Sequence, residues 1–205
     1  MKKIKGALFD LDGVLLDSED IYTGFWNAVE EKFPTGIPNF AHVIKGSNLF
    51  EILHDHYPNE AIRQEVTEML LGFQRSMKYE FFDGAMEFVN RLNQAGIPAC
   101  VVTSSDDDKM ASLARQHPDF SSHFKTIVTG DMVRHAKPDP ECYLLGAQLI
   151  GVDIHDCWVF EDSLKGLGAG RASGATVIGL ATTLPRETIQ PLCDMVIDNF
   201  SQLSI

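Results

Sequence analysis

The chain has few basic residues, and this excludes one large class of functions. Its 205 residues include 17 Lys and Arg against 29 Asp and Glu, which gives a formal net charge of −12. Because non-specific nucleic-acid binding requires a basic surface, we expect no nucleic-acid partner. The overall field also repels anions, so a site for an anionic ligand has to be built from local positive groups.

Cysteine pairs and long apolar runs are absent from the sequence. The four cysteines are far apart: Cys100, Cys142, Cys157 and Cys193. Their spacing is typical of small buried hydrophobic residues in a reducing compartment, and it argues against zinc and disulfide sites. Only a short apolar run follows the basic start at residues 1–5, and no stretch is long enough to span a bilayer. We therefore expect a cytoplasmic protein with no secretory signal and no membrane partner.

Short apolar segments alternate with helical patterns through most of the chain. Five segments are predicted to be strands: residues 5–9, 98–102, 126–129, 157–160 and 175–180. Segments between them, such as residues 85–95 and 141–150, carry apolar residues at helical spacing. This alternation predicts an α/β fold with a Rossmann-like parallel sheet. In such sheets ligands bind outside the carboxyl ends of the strands.

One region breaks this alternation. From about residue 18 to residue 82 the pattern is helical throughout. It contains two apolar stripes, one formed by Ile21, Phe25, Val29 and Phe33 and the other by Ile62, Val66, Met69, Leu70, Phe73 and Met77. Amphipathic helices with no strand between them predict a small bundle, here inserted into the α/β core as a cap domain. We place the cap at residues 17–83 and the core at residues 1–16 and 84–205.

Polar residues follow three of the predicted strands, and a lysine stands in a later loop. They are Asp10 and Asp12, then Thr103, Ser104 and Ser105, then Glu161 and Asp162, with Lys137 in the loop. Each group alone is compatible with an ordinary turn or a helix cap. Because the carboxyl ends of parallel strands lie at one edge of the sheet, we expect these residues to form one site.

This combination of residue types suits phosphoryl transfer. An aspartate can attack phosphorus and form an aspartyl-phosphate, which divides one difficult displacement into two easier ones. A carboxylate nucleophile repels a phosphate dianion, so a magnesium ion and a lysine are needed to neutralise the charge. Hydroxyl groups can hold the equatorial oxygens, and a second carboxylate can protonate the leaving oxygen and later deprotonate water.

Three segments, in this order, resemble the haloacid dehalogenase superfamily. They are FDLDGVLLDSE at residues 9–19, KPDP at residues 137–140 with Tyr143, and FEDS at residues 160–163 with Gly166, Ala169, Gly170 and Ala172 beyond it. The resemblance covers essentially the whole chain and is closest to the phosphatase and β-phosphoglucomutase-like branch that carries a helical cap. It implies that Asp10 is the nucleophile and Asp12 the general acid and base, with Thr103 and Lys137 holding the phosphoryl group.

The same resemblance implies a metal site and a substrate-facing surface. Mg²⁺ would be bound by the Asp10 carboxylate, the Asp12 backbone carbonyl and Asp162, with Glu161 bound directly or behind them. The residues expected to bind substrate are Glu19, Tyr22, Lys45, Gly46, Ser104 and Ser105.

The cap of this chain departs from the mutases of the branch, which carry a histidine at the position of Tyr22 and an arginine at that of Leu49. An arginine fork is the natural clamp for a second phosphate. Its absence favours net hydrolysis over a mutase reaction.

The sequence thus predicts a Mg²⁺-dependent phosphatase acting on a small phosphorylated metabolite, with a sugar phosphate as the expected class and a monomer as the expected state. The alternatives are a β-phosphoglucomutase-like phosphotransferase and a non-catalytic protein that binds a phosphorylated metabolite.

Overall fold

A parallel sheet forms the centre of the computed structural model, which describes residues 3–204. Met1 and Lys2 of the basic start lie outside these residues. The strands in the described part are β1 (Gly6–Phe9), β2 (Ala99–Val102), β3 (Thr126–Val128), β4 (Cys157–Glu161), β5 (Thr176–Leu180) and β6 (Met195–Ile197). Their order across the sheet is β3-β2-β1-β4-β5-β6, and every neighbouring pair is parallel. The predicted α/β class and the parallel sheet are confirmed.

Helices cover the sheet and fill the region between β1 and β2. They are α1 (Glu19–Lys32), α2 (Phe40–Val43), α3 (Leu49–His56), α4 (Glu60–Ser76), α5 (Ala85–Gln94), α6 (Asp107–Gln116), α7 (Glu141–Ile150), α8 (Leu164–Ser173) and α9 (Arg186–Ile189). Within residues 3–204 no helix has the length and apolar character to cross a membrane.

The central strand β1 is buried on both faces. Phe9 belongs to the apolar cluster that includes Phe88 of α5, whereas Leu8 belongs to the cluster that includes Tyr143 of α7. Burial on two faces explains why this strand is a continuous apolar run. Phe9 also stacks on Phe160 of β4, with ring centroids 4.4 Å apart, and the two residues are register partners. The residues that follow Phe9 and Phe160 therefore lie side by side.

The edge strand β6 was not predicted. It is three residues long and lies between Asp194 and Asp198, so the sequence offers too short an apolar segment for a pattern. It is held by pairing with β5 and by Arg186, whose Nη1 donates to the carbonyl of Val196 at 3.0 Å. A strand of this kind depends on its neighbours rather than on its own sequence.

Helices α1–α4, which we call the cap, share an apolar cluster of their own. Its buried members are Phe25, Trp26, Val29, Phe40, Ala41, Ile44, Ile52, Leu53, Tyr57, Val66 and Leu70. The predicted stripe on α1 is correct for Phe25 and Val29 but not for Ile21, which is 38% exposed. The two connections to the core lie next to each other, since the amide of Asp17 donates to the carbonyl of Glu80 at 2.9 Å. The domain bounds at residues 17–83 stay a prediction.

Candidate active site

The ends of β1 and β4 bring three charged side chains into contact. Asp10 follows β1, Glu161 ends β4, and Lys137 comes from the loop before α7. The Lys137 Nζ lies 2.5 Å from Asp10 Oδ1 and 2.6 Å from Glu161 Oε1, and its side chain is 3% exposed. The side chains expected at one edge of the sheet are thus joined by hydrogen bonds across 127 and 24 residues of chain.

The backbone at Gly13 brings the loop after β1 against Asp162. Gly13 has a φ of +76°, in the left-handed region that glycine tolerates best. A Cβ at this position would overlap the Asp162 carboxylate and lie 2.7 Å from Thr183 Oγ1. Glycine is therefore required here both by the backbone angle and by the close approach of a carboxylate.

Both carboxylate oxygens of Glu161 are engaged by protein donors. Oε1 accepts from Lys137 Nζ and from the Tyr143 hydroxyl, the latter at 2.8 Å. Oε2 accepts from the backbone amides of Asp162 and Ser163 at 3.0 and 3.1 Å, and from the Ser163 hydroxyl at 3.1 Å. The side chain is fully buried, so these contacts compensate for the cost of removing the carboxylate from water. This arrangement fixes the position of Lys137.

Buried negative charge exceeds buried positive charge around Asp10. Burial raises the pKa of Asp10 to about 8; Lys137 opposes this shift and Glu161 adds to it. Burial and then the Glu161 carboxylate raise the pKa of Asp162 well above its usual range. Although burial lowers the pKa of Lys137, its two carboxylate partners more than offset this and keep it charged. Lys137 neutralises Asp10 and Glu161 but not Asp162. The oxygen ligands that Asp10 and Asp162 offer are of the type that a hard divalent cation such as Mg²⁺ prefers.

Asp12 has a cationic partner that the sequence analysis missed. The Nζ of Lys109 contacts both Asp12 carboxylate oxygens, and Ser18 Oγ and Ser105 Oγ donate to them at 2.5 and 3.1 Å. Lys109 is 2% exposed. Burial raises the pKa of Asp12, but the Lys109 ammonium outweighs it and holds that pKa below its usual range.

The sequence does contain one signal for Lys109. The residue lies in the first turn of α6, where the helix dipole disfavours a cation. A lysine at this position needs an acidic partner, but the acidic run at residues 106–108 suggests a partner nearby in sequence. The actual partner, Asp12, lies 97 residues away.

The hydroxyl residues after β2 line the site rather than capping α6. The helix is capped by Asp106, whose side chain accepts from the amide of Lys109 at 2.8 Å. Thr103 is 3% exposed, and its Oγ1 accepts from the amide of Ser105 at 3.0 Å. The Ser104 hydroxyl donates to the carbonyl of Gly46 in the cap at 3.2 Å.

Cap and core together line a cavity of about 420 Å³ that is partly open to solvent. It is lined by Asp10, Asp12 and Asp162, by Thr103, Ser104 and Ser105, and by all four predicted cap residues, Glu19, Tyr22, Lys45 and Gly46. Lys137 and Glu161 lie behind this lining. In the cap, Lys45 forms an ion pair with Glu19 at 2.6 Å. Among residues 3–204 no arginine lines the cavity.

Residues 4–174 match the family model of haloacid dehalogenase-like hydrolases. The chain belongs to this family. It is 29% identical to hexitol phosphatase A of Escherichia coli (strain K12), over 99% of this chain and 94% of that protein. It is 32% identical to a probable pseudouridine-5′-phosphatase of Saccharomyces cerevisiae, over 85% and 81% of the two chains. A HAD hydrolase of family IA, variant 3, from Entamoeba histolytica superimposes with a TM-score of 0.82 at 25% identity, over 98% and 96% of the chains.

The match confirms the resemblance that the motifs indicated. In this haloacid dehalogenase-like hydrolase, the matched segment contains every predicted site residue, from Asp10 to Asp162. The chain spans most of the length of both relatives.

Proposed function

We propose that this hydrolase is a phosphatase that cleaves the monoester of a small phosphorylated metabolite, with a sugar or polyol phosphate as the substrate class. The observation that carries the proposal is the buried contact of Asp10 with Lys137 at the floor of a cavity that also contains Asp12 and Asp162. The names of the two relatives, which are phosphatases of small phosphorylated compounds, support the same class.

In the first half of the proposed reaction, a carboxylate oxygen of Asp10 attacks phosphorus and the ester P–O bond breaks. Asp12 gives a proton to the leaving oxygen, and an aspartyl-phosphate forms on Asp10. Lys137 and the Thr103 hydroxyl hold the transferring oxygens, where positive charge and donors are needed. Glu161 acts through Lys137, since its own oxygens are occupied.

In the second half, Asp12 takes a proton from water, and the water oxygen attacks phosphorus. The bond between phosphorus and Asp10 breaks, phosphate leaves and the Asp10 carboxylate is restored. This step needs Asp12 in its ionised form, which the contact with Lys109 favours. In the first half Asp12 must instead carry a proton, so substrate binding has to weaken the contact between Asp12 and Lys109.

We further propose that Mg²⁺ is bound by the carboxylates of Asp10 and Asp162 and by the backbone carbonyl of Asp12. When bound, the ion supplies the positive charge that allows an anionic nucleophile to meet an anionic phosphate. Glu161 lies outside this set because protein donors occupy both of its oxygens. The excess of buried carboxylates over ammonium groups supports the assignment.

The proposed role of Lys109 gives a specific prediction. Lys109→Met leaves Asp12 buried without its cation, so we expect kcat to fall by about 100-fold, the scale of a lost general base. KM should change little, because Lys109 is occupied by Asp12 rather than free to bind phosphate. Steady-state kinetics on the best ester measure both constants, with Lys78→Met, at an exposed position just after α4, as a control. Unchanged kcat, or a loss confined to KM, contradicts the role.

Phosphate release from a panel of sugar, polyol and nucleoside monophosphates, with and without Mg²⁺, tests the proposed function. We expect metal-dependent release from at least one ester. The cavity offers no arginine for a second phosphate among residues 3–204, so a hexose bisphosphate should not be needed for turnover. Turnover that depends on a bisphosphate and returns phosphate to sugar would indicate the mutase. Binding of esters without any cleavage would indicate the non-catalytic alternative.

A further inference from the structure

One buried carboxamide in the cavity lacks a hydrogen-bond partner. Gln74 lies in the last turn of α4, is 4% exposed and lines the same cavity as Asp12. Its Nε2 lies 3.5 Å from the Tyr22 hydroxyl, but its Oε1 has no hydrogen-bond partner among residues 3–204. The carboxamide contains two donor hydrogens and an acceptor oxygen, so turning it over does not pair both ends. Because buried polar groups are normally paired, this atom indicates a ligand.

Gln74 differs from the other residues of the described chain that have a buried side-chain atom without a hydrogen-bond partner. Those residues are Glu51, Tyr57, Trp158 and Thr183, and none of them lines the cavity. The backbone at Gln74 is held by the Tyr79 hydroxyl, which donates to the backbone carbonyl of Gln74 at 2.9 Å in a buried contact. Within residues 3–204, Gln74 is thus the one residue of the cavity lining that has a buried side-chain atom without a hydrogen-bond partner.

Two side chains connect Gln74 to the site of chemistry. The Nζ of Lys109 contacts Asp12 and lies 4.4 Å from the centroid of the Tyr22 ring. The Tyr22 hydroxyl in turn faces Gln74. A ligand that contacts both Asp12 and Gln74 must extend past Lys109 and Tyr22. It therefore contains atoms beyond the oxygen that carries the phosphate.

Charge in the cavity excludes an anionic group near Gln74. Both lysines of the lining are already paired, Lys45 with Glu19 and Lys109 with Asp12. No arginine lines the cavity in the described part of the chain. A second phosphate or a carboxylate would therefore enter a negative field without a free cation. The group that reaches Gln74 is therefore not an anion, and the apolar side chains of the lining favour a neutral group over an ammonium group.

Apolar side chains form the wall on the cap side of the cavity, among them Trp26, Leu53 and Leu70. We propose, on the basis of the proposed phosphatase function, that Gln74 and Tyr22 form a subsite for a neutral hydrogen-bond donor on the alcohol portion of the substrate. The Gln74 Oε1 accepts the donor hydrogen, and the apolar wall packs against the carbon skeleton. The substrate is thus the monophosphate of an uncharged hydroxylated molecule, such as a sugar, a polyol or a nucleoside. A sugar hydroxyl and a nucleobase N–H present the same donor chemistry.

The test compares two substrates in two proteins. Gln74→Leu removes the acceptor and keeps similar volume, so kcat/KM on the best hydroxylated monophosphate should fall by about 10- to 100-fold, the effect of one lost hydrogen bond to a buried group. On p-nitrophenyl phosphate, which lacks such a donor, kcat/KM should stay within about twofold because the phosphoryl-transfer residues are unchanged. Gln64→Leu, on the exposed side of the same helix, is the matched control.

Deoxy sugars and N-methylated nucleosides, tested as their monophosphates, then distinguish the two donor sources. With wild-type protein, kcat/KM should fall by the same factor, about 10- to 100-fold, when the correct donor is removed from the substrate. Gln74→Leu should have similar kcat/KM values for the ester with the donor and the ester without it. The melting temperature of Gln74→Leu should not fall, because an unpaired polar group is replaced by an apolar one.

Two results overturn the subsite. One is full activity of Gln74→Leu on the best ester, and the other is an equal loss on that ester and on p-nitrophenyl phosphate. Either result leaves the proposed phosphatase intact, because wild-type cleavage of p-nitrophenyl phosphate reports on it separately. The deoxy comparison with wild-type protein needs no variant and so does not depend on folding. If wild-type protein cleaves no ester at all, the proposed function fails and the subsite fails with it.

Discussion

Replacing Asp10 with asparagine is expected to lower kcat by at least about 10⁴-fold, because a carboxamide oxygen is too poor a nucleophile to form the acyl phosphate. The fold should be preserved, since the amide oxygen can still accept the hydrogen bond that Lys137 Nζ donates to Asp10 at 2.5 Å. The substitution also removes one of the two buried carboxylates that share this ammonium group. We therefore expect the melting temperature to stay the same or rise.

Steady-state phosphate release and a thermal melt of the same preparation measure both parts of this prediction. Asp20→Asn is the matched control, because Asp20 is an exposed residue of α1 outside the cavity lining. It should leave both quantities unchanged. An Asp10→Asn protein that retains a tenth or more of the wild-type kcat excludes Asp10 as the nucleophile. A tenfold loss corresponds to an increase of only about 1.4 kcal/mol in the activation free energy.

Replacing Lys137 with methionine is expected to affect both activity and stability. The side chain is 3% exposed and neutralises Asp10 and Glu161 together. Removing one partner of a buried ion pair leaves an uncompensated charge, and we expect the free energy of unfolding to fall by about 3–5 kcal/mol. We expect kcat to fall by about 10³-fold, because in the proposed mechanism Lys137 both holds the nucleophile and neutralises the phosphoryl oxygens.

The double variant Lys137→Met, Glu161→Gln separates these two effects. It removes one of the two unpaired carboxylates, so it should recover part of the lost stability while activity stays low. Chemical denaturation and steady-state kinetics measure the two quantities, with Lys78→Met at an exposed position as a control. Two results count against the account: near-normal kcat in the single variant, and activity that returns together with stability in the double variant.

The positions of the motif residues were predictable because parallel strands end at one edge of a sheet. Asp10 and Glu161 follow register partners, Phe9 and Phe160, and this local rule brings them together without knowledge of the packing. Thr103 lies at the same edge for the same reason, after β2. The fold class and the core of the candidate site therefore follow from short segments of sequence.

The contacts of Lys109 and Gln74 could not be predicted in this way. Both residues lie on helices, and the direction of a helical side chain depends on how the helix is packed against the rest of the chain. Lys109 contacts a carboxylate 97 residues away, and Gln74 lies 3.5 Å from a hydroxyl 52 residues away. A periodic pattern shows which face of α4 is apolar, but it does not show that this buried face includes an amide exposed to a cavity.

Trp26 illustrates the same limit in the cap. It packs in the cap cluster, where its ring lies 5.2 Å from that of Phe25. It also lines the cavity, so one side chain serves both the cap interior and the proposed substrate wall. Apolar periodicity cannot separate these two uses, because each requires a buried apolar side chain.

The central claim, that Asp10 carries the phosphoryl group, is tested most directly by the intact mass of the protein. Asp12→Asn with Mg²⁺ and acetyl phosphate should gain the mass of one phosphoryl group, because this leaving group needs no acid and the base for hydrolysis is missing. The double variant Asp10→Asn, Asp12→Asn should gain nothing. An adduct that persists in the double variant places the phosphoryl group elsewhere. Phosphate release by Asp12→Asn at the wild-type rate, with no adduct at any time, contradicts the covalent mechanism.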